Sequence, residues 1–348
     1  MNDFEQSEDF EARFDPMNTD RKARRQRKPK AHHQPKKAQN EVMGEIADEV
    51  SLEIEFKTTY VPGLFEQGWL LDSLRPFYDQ GLITDVLARV KGGKEANVYR
   101  CEARPETGLS LVAAKVYRPR MFRNLRNDKM YREGRQVLSA DGKIVKDNDH
   151  RAQRALGKKS AFGEQLSHTS WLMYEFNTLN TLYAVGASVP QALASAENAI
   201  LMSYCGDENL AAPTLSQVSL SDDEAQPLFD ETLRNIELML QHGMIHGDLS
   251  AYNILYWEGK ITLIDFPQVT ESHSNPHAFE ILKRDIERIC EYFAEQGVNT
   301  EPERILRRLW KRYVELDSRI READLSAVLH KREEEREERA AERAARDD

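Results

Sequence analysis

From about Thr58 onward the chain alternates between two spacings of apolar residues, and the switches mark out its elements. WLLDSLRPFY, residues 69–78, repeats at three and four and predicts a helix. LITDVLARV, ANVYRCEA and LVAAKVY alternate or are β-branched, which predicts three successive strands and a small antiparallel sheet. SWLMYEFNTLNTLYAVG returns to the 3.6-residue period, with Trp171, Glu175, Leu179 and Leu182 or Tyr183 along one side and Gly186 as a stop. After Pro190, AILMSYCG reads as a buried strand and APTLSQVSL as a connection. A helix is predicted from roughly Gln226 to His242, with Pro227 in its first turn and Gly243 beyond its end. MIHGDLSAYNILYWEGKITLIDF then reads as a strand, a loop, and a hairpin turned at Glu258-Gly259-Lys260. HAFEILKRDIERICEYFAEQG and ERILRRLWKRYVEL supply further helices for a mainly helical second lobe.

These elements are expected to divide the chain into a disordered polar and basic leader (1–57), a sheet-bearing lobe (58–205) with a flexible basic insertion (118–168), a helical lobe (206–325) and a charged helical tail (326–348). At 348 residues and 40% hydrophobic content there is enough apolar surface for an ordinary core. The formal charge of −10 hides an asymmetry: residues 21–37, RKARRQRKPKAHHQPKK, hold nine Lys/Arg and no acid. Such a disordered arm fits either salt-dependent contact with nucleic-acid phosphates or a solubilising role. No run of about 18 apolar residues occurs and the first residues are acidic and polar, so the expectation is a cytoplasmic protein without a membrane span. Cys101, Cys205 and Cys290 lie far apart, with no spacing for a zinc site or disulfide framework.

Candidate chemistry centres on HGDLSAYNIL, residues 246–255. Its H-x-D-L-x-x-x-x-N spacing is that of a phosphotransferase loop, although Gly247 stands where most protein kinases carry Arg. Transfer from ATP needs a lysine on the phosphates, oxygen ligands for Mg²⁺ and a carboxylate beside the attacking hydroxyl. Lys115, on the third predicted strand, suits the first requirement, and Glu175, an acid on an apolar helix face, needs a partner such as Lys115. Asp248 suits proton acceptance, Asn253 offers an amide oxygen, and Asp265 ends the apolar strand ITLI with a carboxylate for Mg²⁺. Each residue alone has an ordinary reading, as an edge lysine or a turn cap; their order and element types point jointly to an ATP phosphotransferase.

The upstream stretch KGGKEANVYR, residues 91–100, closely resembles the G-K-E-A-N-V-Y phosphate loop of the RIO atypical protein kinases, and the resemblance to their RIO1 branch runs over roughly residues 80–298. It implies an α+β, bilobal protein-kinase-like fold with a small antiparallel-sheet lobe and a helical lobe. It also implies a serine/threonine protein kinase using ATP and Mg²⁺, with autophosphorylation and ATPase activity. Gly92, Lys94, Ala96 and Val98 would then line the phosphates, and Ser203 and Cys205 would meet adenine through their backbone. Lys115 would bind ATP with Glu175 as partner, Asp248 would accept the proton, Asn253 and Asp265 would ligate magnesium, and Asp265 could also carry a phospho-aspartate. Implied partners are ATP, a protein substrate including the chain itself, and ribosomal particles or RNA through residues 21–37. Two departures stand out: Gly247 replaces the branch's usual Ala, and Phe266-Pro267 follows the metal Asp in place of a small or aliphatic residue. No long activation loop follows Asp265. Two alternatives stay open, an ATP-gated assembly factor for ribosomes and a small-molecule kinase of the aminoglycoside or choline type.

Overall fold

A computed structural model describes residues 56–316 apart from 57, 94, 119–134, 136, 141, 147, 148 and 159. The basic segment 21–37 and the charged tail 326–348 therefore lie outside the described residues. The three strands predicted from the amino-terminal half form as β1 (Ile83–Gly92), β2 (Ala96–Ala103) and β3 (Leu111–Tyr117). Two more, β4 (Ala192–Ser195) and β5 (Ala199–Ser203), complete a five-stranded antiparallel sheet in the order β1-β2-β3-β5-β4. β4 escapes the sequence reading because its four residues, ALAS, carry little strand signal.

Alternation along β3 assigns the two faces of the sheet. Val112, Ala114 and Val116 pack with Leu70, Leu74 and Phe77 of helix α1 (Leu64–Asp79), in a core that also takes in Tyr99 and Cys101 of β2. Ala113 and Tyr117 belong to the opposite core, with Trp171, Leu172 and Leu182 of helix α3 (Ala161–Ala184). Lys115 shares that second face, which places its ammonium toward α3.

The basic insertion is more ordered in its second half than its composition suggests. Helix α2 (His150–Lys158) occupies it, and α3 begins at Ala161, well before the stretch from Ser170 that the periodicity marks. Asp149 accepts hydrogen bonds from the backbone of Arg151 and Ala152, and Ser160 accepts one from Gly163, so both helices start on side-chain caps. A Cβ at position 163 would lie 2.1 Å from the Ala155 carbonyl oxygen, so only glycine lets the two helices meet here. Ala152 alone is buried among the described side chains of α2, which is why the segment shows no apolar stripe.

The carboxy-terminal lobe is built on α4 (Asp222–Gln241), α5 (Ala278–Glu295) and α6 (Pro302–Trp310), the last continuing into a π-helical turn at Lys311–Glu315. α4 starts four residues earlier than Pro227 indicates, because Ser221 and Glu224 form a capping box. Two short antiparallel pairs lie beside these helices: β6 (Met244–Ile245) with β9 (Thr270–Glu271), and the hairpin β7 (Ile254–Trp257) with β8 (Lys260–Leu263). No helix among the described residues is long and apolar enough to cross a membrane.

Candidate active site

Lys115, Glu175 and Asp265 come from three different elements and meet at one point. The Lys115 Nζ lies 2.6 Å from Glu175 Oε1 and 2.5 Å from Asp265 Oδ1. Glu175 is 1% exposed, and its other oxygen accepts from the Tyr117 hydroxyl, while the Phe266 backbone N–H reaches Oε1 at 3.3 Å. A buried carboxylate so supplied is compensated rather than orphaned. Burial by itself would lower the Lys115 pKa, but Asp265 and Glu175 outweigh it and hold the ammonium well above its usual value. Burial likewise works to raise the Asp265 carboxyl, and Lys115 overrides it to keep the group below the ordinary aspartate value. The Asp265 side chain is 44% exposed, so its link to Lys115 is open to exchange with a ligand.

The loop after β6 is held from beneath by α5. Asp285 Oδ2 accepts from the Gly247 backbone at 2.8 Å and Oδ1 from that of Leu249 at 3.2 Å, while Arg284 donates to the Gly247 carbonyl. Arg288 Nη1 lies 2.7 Å from Asp248 Oδ1. Burial pushes the Asp285 carboxyl up from its ordinary value, against the pull of Arg284, His246 and Arg288. Asp248 N–H donates to His246 Nδ1 at 3.3 Å, which leaves Nε2 to donate to the Ile264 carbonyl at 3.1 Å; the ring also packs 4.6 Å from Phe266. Gly247 sits at φ +86°, and a Cβ there would come 2.3 Å from the Gln268 carbonyl oxygen. The glycine is thus dictated by the backbone, independently of any role for an arginine.

Asn253 and Asp265 are brought side by side by the hairpin. Ile254 pairs with Leu263, and the Ile264 N–H donates to the Asn253 carbonyl at 2.9 Å. The Asn253 amide nitrogen is committed to the Asp248 carbonyl at 2.8 Å and to its carboxylate at 3.2 Å, which leaves Oδ1 as the ligand atom. Asp265 adopts φ +70°, a left-handed conformation that a non-glycine residue holds only at a cost. One amide oxygen and one carboxylate fit Mg²⁺, a hard cation that keeps waters and phosphate oxygens for its remaining positions. Among the described residues no group of three or more His, Cys, Asp or Glu forms a self-sufficient metal cage.

The remaining candidates line the sheet side. Gly92 pairs with Asn97 across the β1–β2 turn, Ala96 with Tyr117, and Val98 with Lys115, which puts both apolar side chains beside the lysine. Lys94 falls outside the described residues. Ser203 ends β5, and Cys205 follows it, half-buried, its Sγ 3.9 Å from the Thr262 hydroxyl of β8. The strand pair and the hairpin therefore bound one cleft, with Lys115 and Asp265 at its centre.

A family model described as "RIO1: RIO domain" matches residues 97–305, more than half of the chain. The chain belongs to the RIO domain family. Among its relatives, "Serine/threonine-protein kinase RIO1" of Chaetomium thermophilum is 29% identical over 237 residues, covering 65% of this chain and 42% of the relative. "RIO-type serine/threonine-protein kinase Rio1" of Haloferax volcanii is 27% identical over 213 residues, 61% of this chain and 64% of that one. The chain thus spans less than two thirds of these curated relatives. A solved structure titled "Crystal structure of the Rio2 kinase-ADP/Mg2+-phosphoaspartate complex from Chaetomium thermophilum" superposes with a TM-score of 0.48 and 21% identity, over 70% of this chain and 66% of that one.

Four residues of this RIO domain that matter to the site are absent from the sequence reading: Tyr117, Arg284, Asp285 and Arg288. Asp285 carries the same signal that exposes Glu175, a carboxylate among buried Ile281, Leu282, Ile286 and Ile289 on one helix face. Tyr117 and the two arginines carry none, since a strand tyrosine and helical arginines are ordinary surface or core residues.

Proposed function

We propose that this RIO domain is an ATP- and Mg²⁺-dependent serine/threonine protein kinase. The observation that carries the reading is Lys115 held between buried Glu175 and exposed Asp265, with Asp248 and Asn253 across the cleft. In this reading Lys115 transfers its contact from Asp265 to the ATP phosphates, while Glu175 and Tyr117 keep the ammonium in place. Gly92, Lys94, Ala96 and Val98 cover the phosphates, and the backbone at Ser203 and Cys205 receives adenine. Asn253 and Asp265 would hold the magnesium ion, whose charge neutralises the transferring phosphoryl group. Asp248 orients the acceptor hydroxyl and takes its proton. Only about a dozen residues separate Asp265 from α5 at Ala278, a span occupied in part by β9, so a protein acceptor meets the cleft without a long activation segment.

Autophosphorylation, ATP hydrolysis and a phosphorylated Asp265 belong to the same reading. Incubating the full chain with γ-labelled ATP and Mg²⁺ tests them together. Acid-stable label on Ser or Thr, with ADP release, is the expected outcome; hydroxylamine-labile label would place phosphate on a carboxylate. No label and no ADP above the level of Asp248→Asn would overturn the reading. The nine Lys/Arg without an acid in residues 21–37 favour a second, compatible role in ribosomal or RNA assemblies. Co-sedimentation with ribosomal particles that weakens as salt rises supports it, and absence from those fractions at low salt removes it.

A further inference from the structure

Helix α5 sets Arg288 three residues after Asp285 and four after Arg284, so it falls between them on the helix face beneath the loop. Arg284 takes the Gly247 carbonyl and Asp285 takes the two backbone N–H groups on either side of Asp248. These contacts fix the loop's backbone. Arg288 reaches the Asp248 side chain, where its guanidinium binds Oδ1 at 2.7 Å while Asn253 holds Oδ2 at 3.2 Å. Arg288 is 5% exposed and the Asp248 side chain 28%, so the pair is shielded on the arginine side and open on the side a substrate approaches.

We infer that Arg288 is a positioning residue for phosphotransfer: its guanidinium anchors one oxygen of Asp248 so that the carboxylate presents a fixed edge to the acceptor hydroxyl. The inference rests on the kinase reading above and deepens it. With each oxygen held by a different donor, rotation of the carboxylate is blocked. Without Arg288, Oδ1 has lost its charge-assisted partner and the carboxylate is free to turn toward Asn253 or solvent. The contact of Arg288 is with Asp248, the acceptor-side carboxylate, so its effect is expected on transfer rather than on nucleotide binding. The pairing also has a reverse consequence: a buried guanidinium that loses its carboxylate is left uncompensated.

Three measurements on the full chain test this, each against the parent. Arg288→Met is expected to lower kcat for phosphotransfer by about 10²-fold, the scale of a misplaced reacting group, with KM for ATP within about twofold. Arg288→Lys, which restores a cation but not the planar fork, is expected to recover part of that loss. In an Asp248→Asn background, Arg288→Met is expected to cost little more, because the arginine acts through the carboxylate. Thermal unfolding adds an independent readout: Asp248→Ala is expected to lower Tm, and adding Arg288→Met to restore most of it. An active parent with an equally active Arg288→Met, or a loss that is fully additive with Asp248→Asn, would overturn the inference. An inactive parent would overturn the kinase reading instead, while the Tm cycle would still report on the ion pair.

Discussion

Two groups of charges make up the site, and they are built on opposite plans. On the sheet side one cation, Lys115, is shared by two carboxylates, of which Glu175 is buried and Asp265 is 44% exposed. On the helix side Asp285, Arg284 and Arg288 are spent on the loop itself, and the arginine that meets Asp248 is 5% exposed. The first group has a partner it can release; the second has none to spare. Polar clusters of similar composition therefore serve opposite purposes, one to exchange contacts with a ligand and the other to hold a backbone still.

Substitutions that separate exchanging from holding sharpen this contrast. Lys115→Met is expected to reduce phosphotransfer by at least ~10²-fold, read from initial rates with labelled ATP. Asp285→Ala is expected to cost about 3 kcal/mol of stability in denaturant unfolding, because it strips the Gly247 and Leu249 N–H groups of their acceptor and Arg284 of the carboxylate beside it. If Asp285→Ala left stability unchanged while Lys115→Met lowered it, the two roles would be reversed. Gly247→Ala is expected to cost about 2 kcal/mol, through its left-handed backbone and the contact with the Gln268 carbonyl, and to slow transfer as the loop shifts. Tyr117→Phe removes one hydrogen bond from Glu175 and is expected to cost about 1 kcal/mol, with a rise in KM for ATP.

The smallest effect concerns a holding contact away from the cleft. Glu231 on α4 binds the Ser188 hydroxyl at 2.6 Å and Arg234 at 2.6 Å, and Arg234 foremost holds its carboxyl down at about 2. A depressed carboxyl contributes stability above its unfolded value and loses it on acidification, so the contribution is complete near pH 6 and fades between roughly 4.5 and 2. The group is 31% exposed, so solvent screening keeps the effect below ~1 kcal/mol. Melting curves from pH 6 to 2.5 should show the gap between parent and Glu231→Gln closing as pH falls; a gap that widens would contradict the assignment.

Much of the fold was legible because apolar period and element type agree: β1 to β3, β5, the hairpin and the helices other than α2 and the first turns of α3 follow their spacing. The misplaced boundaries share a cause. Pro227 marks a helix start less reliably than the Ser221–Glu224 box, because by the sixth position of α4 a proline forfeits only one hydrogen bond, to an exposed first-turn carbonyl. At the site, the charged residues that sit where apolar ones belong could be found, as Glu175 was and Asp285 could have been. Arg288 could not, since its burial depends on the loop packing over α5, a contact 40 residues apart in sequence that no local pattern records.

The hairpin that joins Asn253 to Asp265 acts as a ruler. Its two four-residue strands and the tight turn at Glu258-Gly259 fix the separation of the two oxygen donors through backbone alone. A slip of one residue in that register would turn one donor to the opposite face. The pair is thereby tied into one part, and its link to the sheet side is the single contact from Lys115 to Asp265. A pair of spectroscopic labels placed across that contact would therefore report whether it changes when nucleotide is added, while labels placed along the hairpin would serve as the internal zero.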